Sequence, residues 1–400
     1  MLSRVPAWWE IATGALRAGV VLSPCSTLAT PKDIRYRALA AQANIFVGDA
    51  ATVKAFLEVQ TDCPGVHTVI QADGEPISGI QQYETLMNGL PQDEKYSGRV
   101  TLTSDPAFIL FTSGTTGPPK MVVHNHSYPL SHISTGKDWL LLEPGKLYWN
   151  LAELGWAKAA WGWFAAWNTG AALYVRKFRR AFCAREVVDA LRLYHISTLC
   201  AGPTVYRQMV LPDVLEGIAK APLSSLEHCV AAGETLEKAV IQSWKVATGI
   251  QVKDGYGQTE TTILCGNFKD NIVKPGSMGT AASGIPLAIV NGDGEECKTG
   301  DRGNIAVAIR KADGQHTLGI AEGYLQPDGS KRLNLLKERP RTDGSASRQW
   351  YLTGDRGYRD GDGYFWYLGR GDDVINSSGY RIGMCFYYIL KVLKTQFSHT

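Results

Sequence analysis

The chain lacks the features that would mark a disulfide-stapled, nucleic-acid-binding or membrane-spanning protein. Eight cysteines are scattered over 400 residues without one Cys-x-x-Cys pair, so neither a zinc site nor a disulfide framework is indicated and a reducing compartment is the simplest reading. Charge of one sign is lacking: the formal net charge is +3, and no basic run interleaves with aromatics, which argues against a nucleic-acid partner. Long hydrophobic runs are also missing. The most apolar stretch, 156–175, is broken by Lys158, Asn168 and two glycines, whereas a transmembrane helix needs about 20 mostly apolar residues. Its tryptophans, Trp156, Trp161, Trp163 and Trp167, are expected in the core or lining a pocket. Met1–Pro6 is too short for a presequence. There is no internal repeat and no low-complexity tract. What remains is an apolar fraction of 44%, enough for a large core and more than one structural unit.

A Walker A loop is absent too, yet a phosphate cradle is present. Phe111-Thr112-Ser113-Gly114-Thr115-Thr116-Gly117-Pro118-Pro119-Lys120 sets hydroxyls and two glycines ahead of a single lysine. Glycine lets backbone approach an anion, and hydroxyl and N–H groups donate to phosphate oxygens. Walker A requires four residues between its glycines and Lys-Ser/Thr directly after the second. Here two residues separate Gly114 from Gly117, and Met121 follows Lys120. The apolar run 107–111 ahead of the loop reads as a short buried strand.

Along the chain, helical and strand patterns alternate. Helices are expected over 8–18 and 33–42, and strands over 20–22, 45–47 and 68–70, a β/α rhythm that implies a parallel sheet with helices on its faces. Residues 72–104 read as polar loop. Strands over 171–175, 198–200 and 251–253 and helices over 184–194 and 236–248 continue the rhythm. Beyond Pro275 short alternating runs and many glycines, including 304–309, suggest a small β subdomain at about 276–368. Gly-Arg-Gly at 369–371 marks the boundary to a second unit, so one unit is expected over 1–369 and a second, short one over 370–400.

Three further motifs follow the phosphate loop in order. They are Asp254-Gly255-Tyr256-Gly257-Gln258-Thr259-Glu260, then Tyr351-Leu352-Thr353-Gly354-Asp355-Arg356-Gly357-Tyr358, then 369–383, which contains Asp372 and Val-Ile-Asn-Ser-Ser-Gly-Tyr-Arg-Ile-Gly. Together the four resemble the adenylate-forming superfamily of acyl-CoA synthetases, luciferases and peptide-synthetase adenylation domains. The last is most similar to the medium-chain acyl-CoA synthetases of animal mitochondria. The resemblance runs from about Arg4 to Gly383. It implies an α/β fold with parallel β/α subdomains and a small distorted β-barrel. It implies ATP-driven activation of a medium-chain fatty or aromatic acid to an acyl-adenylate and transfer to CoA, with Mg²⁺ as cofactor. The mitochondrial matrix follows from the same resemblance, although the chain as written would stay cytosolic.

The site residues follow from the same matches. Thr112 to Gly117 and Lys120 would hold the β- and γ-phosphates, Lys120 as a compact cation. Tyr256, flanked by Gly255 and Gly257, would stack on adenine, with Asp254 and Gln258 beside it. Thr259 would touch the α-phosphate and Glu260 would hold Mg²⁺, a hard cation suited to carboxylate oxygen. Asp355 suits the ribose diol and Arg370 the ribose or phosphate. Gly233-Glu234 resembles an adenine-wall segment in which Ala232 replaces a glycine. Asp372 matches a hinge, and Ser378, Gly379, Tyr380 and Arg381 match positions at a CoA channel. His124 and His126 alternate on a strand that could face the acid.

The resemblance also implies that the chain lacks the family's front segment and, after Gly383, its C-terminal lid. A spliced or frame-altered terminus is the expectation there, with an apolar tail at 384–400 that docks on the body or drives self-association. Loss of a lid lysine is expected to lower the rate on the order of 10²–10³. The competing expectations are therefore an impaired nucleotide- or acyl-binding isoform and a splice product with no function.

Overall fold

The computed structural model describes residues 1–91, 96–112, 118–178, 182–339 and 347–371, and the backbone of 374–377 and 380–383. The centre is a seven-stranded sheet. Its spatial order is Thr280–Ala281, Ile263–Gly266, Val252–Gly257, His228–Ala232, Thr198–Ala201, Leu147–Asn150 and Ala172–Tyr174. The five strands from Val252–Gly257 onward are mutually parallel, and the first two add antiparallel at one edge. Parallel strands covered by helices on both faces are apolar throughout: every residue of Thr198–Ala201 and His228–Ala232 is buried. One cover is Ala157–Asn168, a helix buried on nearly its whole circumference, including Trp161 and Trp163. Trp167 at its end is half exposed.

A three-stranded parallel sheet, Ile45–Asp49, Thr68–Asp73 and Gln81–Gln82, carries the N-terminal β/α rhythm. Ahead of it, Pro31–Ala40 starts at a capping box: Thr30 accepts from the Asp33 N–H, and the Asp33 carboxylate accepts from the Thr30 N–H. Pro31 at the first helical position needs no amide partner there.

Two local expectations are corrected, and a third element, the buried strand ahead of the phosphate loop, is found as expected. Residues 20–22 form no strand; Leu22 makes a single parallel bridge to Phe108, because its neighbours Val20 and Val21 are exposed. The span 72–104 contains Gln81–Gln82 and the helix Tyr83–Asn88, too polar to be seen as periodic. The strand entering the phosphate loop, Pro106–Thr112, is one arm of an antiparallel hairpin with Lys120–Asn125. It lies in a separate four-stranded sheet completed by Gly323–Leu325 and Lys331–Arg332. Beyond Pro275 a five-stranded antiparallel sheet forms from Leu287–Val290, Gly303–Ala308, Gln349–Arg359, Leu335–Lys337 and Phe365–Arg370. Among the described residues no helix is long and apolar enough to cross a membrane.

Candidate active site

The ends of three sheets converge on one cavity of about 560 Å³. The central sheet contributes the C-terminal ends of His228–Ala232 and Val252–Gly257, the place where open parallel sheets present their ligand crevice. Asp254, Tyr256, Gln258 and Thr259 line it from one strand and its following turn. Gly233 and Glu234 line it from the next strand, Phe111 and Thr112 from the hairpin, and Asp355 and Arg370 from the five-stranded sheet. Trp156, Lys158 and Trp161 close it from the helix Ala157–Asn168.

Asp355 is the centre of a buried polar network. Its Oδ2 accepts from the Tyr256 hydroxyl at 2.5 Å and from Gln258 Nε2 at 2.8 Å. Its Oδ1 accepts from Arg370 Nη1 at 3.2 Å, with both side chains buried. Gln258 is fixed at its other end by the Tyr351 hydroxyl, 3.0 Å from Oε1, and donates to the Thr353 carbonyl at 2.9 Å. Burial first, and the Asp355 charge second, push the Tyr256 phenol well above its usual range. It therefore stays a donor to Asp355.

The glycines around Tyr256 have a packing cause. A Cβ on Gly255 would collide with the Trp139 indole and lie 2.6 Å from Ile263 Cδ1. Gly233, at φ +110, occupies backbone space that L side chains rarely adopt. Ala232 ahead of it is a regular buried strand residue, so losing a glycine there leaves the turn intact. Glu234 faces Arg207 at 3.6 Å. Burial pushes the Asp254 carboxyl up to about 7.

The turn after Tyr256 places two further expected residues. The Thr259 carbonyl accepts from His124 Nε2 at 2.7 Å. His124 is buried against Tyr128 at a ring separation of 3.8 Å, and burial lowers it to about 4. His124 therefore braces the Thr259 backbone instead of facing a substrate acid, and the His126 Nε2 is buried with no hydrogen-bond partner among the described residues. Glu260 is buried; its Oε1 accepts from the Tyr324 hydroxyl at 2.6 Å, and its Oε2 has no partner among the described residues. An orphaned carboxylate oxygen is a strong unmet demand for a cation or donor. Lys120 is exposed, with Nζ 5.0 Å from the Tyr324 ring centroid, so it and Glu260 share one aromatic neighbour.

Ser113, Gly114, Thr115, Thr116, Gly117, Asp372, Ser378 and Gly379, and the tail 384–400, lie outside the described residues. Tyr380 and Arg381 belong to a strand paired with Val374–Ser377. Sequence reasoning missed Tyr324, Arg207 and Lys158. The signal for Lys158 was available: it is a lone charge at the start of an otherwise apolar helix.

The comparisons agree with this architecture. A crystal structure of the anthranilate CoA ligase AuaEII matches with a TM-score of 0.80 at 24% identity, covering 96% of this chain and 70% of that one. A Brucella canis acyl-CoA synthetase matches with a TM-score of 0.79 at 25% identity, covering 96% and 66%. The fold is that of the adenylate-forming enzymes. The family model described as AMP-binding enzyme matches residues 1–325, and the chain belongs to the AMP-binding enzyme family. It is 36% identical over 385 residues to the mouse mitochondrial acyl-coenzyme A synthetase ACSM5. That match covers 96% of this chain and 63% of the relative, so the chain spans somewhat under two thirds of the length of the curated relatives it matches.

Proposed function

We propose that this protein is an acid–CoA ligase of the AMP-forming type. It joins a medium-chain fatty or aromatic carboxylate to AMP with release of pyrophosphate, then passes the acyl group to CoA. The observation carrying this reading is the cavity itself, with tryptophans on one wall and the Tyr256–Asp355–Arg370 network on the other, in a chain similar to acyl-CoA synthetases.

In this reading the carboxylate oxygen attacks the α-phosphorus while the bond to pyrophosphate breaks. The thiol sulfur of CoA then attacks the acyl carbonyl and AMP leaves. Tyr256 offers its ring to adenine, with Asp254, Gly255, Gly257, Gly233 and Glu234 around it. Asp355 receives the ribose diol in an orientation fixed by Gln258 and Arg370. Thr259 contacts the α-phosphate, and Lys120 with Thr112 and the 113–117 loop receives the β- and γ-phosphates. These groups act by position and by neutralising developing charge. Glu260 Oε2, buried and unpartnered among the described residues, fits a hard divalent cation. Mg²⁺ bound there would offset phosphate charge that otherwise repels the incoming carboxylate. Ser378, Gly379, Tyr380 and Arg381 serve CoA, and Asp372 the hinge between an adenylation core at 1–369, with its β subdomain at about 276–368, and 370–400. The mitochondrial matrix, by resemblance, and self-association through the tail belong to the same proposal.

The test is acyl-CoA formation. Purified protein incubated with Mg-ATP, octanoate and CoA is expected to yield octanoyl-CoA and AMP by mass spectrometry. A product that forms equally without ATP, or no product under conditions where the protein is folded, would reject the reading.

A further inference from the structure

Lys158 is the odd member of the cavity wall. It is the second residue of the helix Ala157–Asn168, whose other early positions are alanines and tryptophan. Its Nζ donates to the Ala232 carbonyl at 3.1 Å, the last residue of a central strand. That is the one hydrogen bond it makes among the described residues, although an ammonium carries three donors. No carboxylate among the described residues lies within ion-pair reach of it. Cys200 and then Glu234 act on it from beyond that reach, and Glu234 lies 3.6 Å from Arg207. A Cβ on Gly233 would sit 2.7 Å from the Lys158 Nζ, so the glycine leaves room for the ammonium at the cavity edge.

A second source of positive potential is aligned with the first. The opening turn of this 12-residue helix, which starts behind Trp156 with no side-chain cap, carries the positive end of the helix dipole, although the Trp156 and Ala159 amides already donate to the Glu153 and Trp156 carbonyls. Trp156, Ala157, Lys158 and Trp161 all line the cavity. This helix-side wall is therefore apolar except at the Lys158 ammonium. Burial pulls the Lys158 amine downward against the raising influence of Cys200 and Glu234, and a carboxylate placed beside it would favour its charged form. A ligand with an apolar body and one carboxylate matches both parts.

We propose that Lys158, backed by the first turn of its helix, receives the carboxylate of the acid substrate and so sets the preference of the cavity for acids over neutral analogues. This rests on the ligase reading above and names the residue that recognises its acid. Lys158 is a substrate-binding group distinct from the nucleotide network around Asp355.

The test uses the full chain and the fluorescence of its cavity tryptophans, titrated with octanoate and with octanamide. The wild type is expected to bind octanoate about tenfold or more tightly than octanamide, the scale of one hydrogen bond to a charged group. Lys158→Met should abolish that preference by weakening octanoate while leaving octanamide within about twofold. Lys158→Arg should retain most of it. Equal binding of acid and amide by the wild type overturns the proposal, as does a folded Lys158→Met variant that keeps the preference. Should Lys158→Met fail to fold, Lys158→Gln replaces it under the same criteria. The two proposals fail separately. A Lys158-dependent preference without acyl-CoA formation sinks only the ligase reading. Acyl-CoA formation by Lys158→Met with an unchanged KM for octanoate sinks only this one.

Discussion

The Tyr324 hydroxyl donates to Oε1 of Glu260 at 2.6 Å while Oε2 of the same carboxylate is buried with no partner among the described residues. One oxygen is thus oriented by the fold and the other is held ready. Groups that orient a metal ligand are typically worth 10–100-fold in metal affinity or activity. Tyr324→Phe is therefore expected to raise the half-saturating Mg²⁺ concentration for pyrophosphate release by about tenfold, and Glu260→Gln by more. Mg²⁺ titration at fixed ATP checks this; an unchanged midpoint in Tyr324→Phe would mean that the tyrosine only packs.

The Asp355–Arg370 pair gives a stability prediction. Asp355→Ala leaves a buried guanidinium without its carboxylate, a change worth about 3–5 kcal/mol in comparable buried pairs. Because Arg370 also donates to the Thr353 carbonyl at 3.2 Å, the lower end of that range is expected. Asp355→Ala/Arg370→Ala should be less destabilised than the sum of the two single variants, measured by urea unfolding.

Gly255 supplies a steric prediction. With Trp139 and Ile263 occupying the space of its absent Cβ, Gly255→Ala is expected to lose about 1–3 kcal/mol of stability and to shift Tyr256 with it. A thermal unfolding midpoint equal to that of the wild type would show that the strand yields without strain.

Asp254 sets a pH dependence. Its carboxyl lies at about 7 in the folded chain against an ordinary 3.8. The folded state therefore binds its proton more tightly than the unfolded one. Its contribution to stability falls as pH rises from about 4 to about 7, by roughly 4 kcal/mol at most. His124, lowered to about 4 by burial, acts oppositely, removing stability as pH falls below its ordinary 6.5. Subtracting the pH profile of Asp254→Asn from that of the wild type isolates the aspartate. The difference should favour the variant increasingly from pH 4 to pH 7, and a flat difference would contradict the burial argument.

The sequence made the contiguous parts of this site readable and left the assembled parts dark. Tyr256, Gln258 and Thr259 sit on one strand and its turn, so their grouping survives in linear order. Among the central strands, Thr198–Ala201 was legible as an apolar run, being buried throughout, whereas Leu147–Asn150 and His228–Ala232 were not expected. The antiparallel pairing of Pro106–Thr112 with Lys120–Asn125 was not, since an apolar run carries no record of its partner's direction. Tyr324 reaches Glu260 across 64 residues and Lys158 reaches Ala232 across 74. Neither contact leaves a local pattern. His124 alternated correctly on its strand, yet only the tertiary fold turns it onto the Thr259 carbonyl.

The central claim is adenylation of a carboxylate at the Asp355-centred cavity, and the most direct test is pyrophosphate release from Mg-ATP by the purified chain. The account predicts release that requires octanoate, that octanamide cannot replace, and that is lost in Lys120→Ala and Arg370→Ala. Release at the same rate with and without octanoate, or undiminished by both substitutions in folded protein, would contradict it.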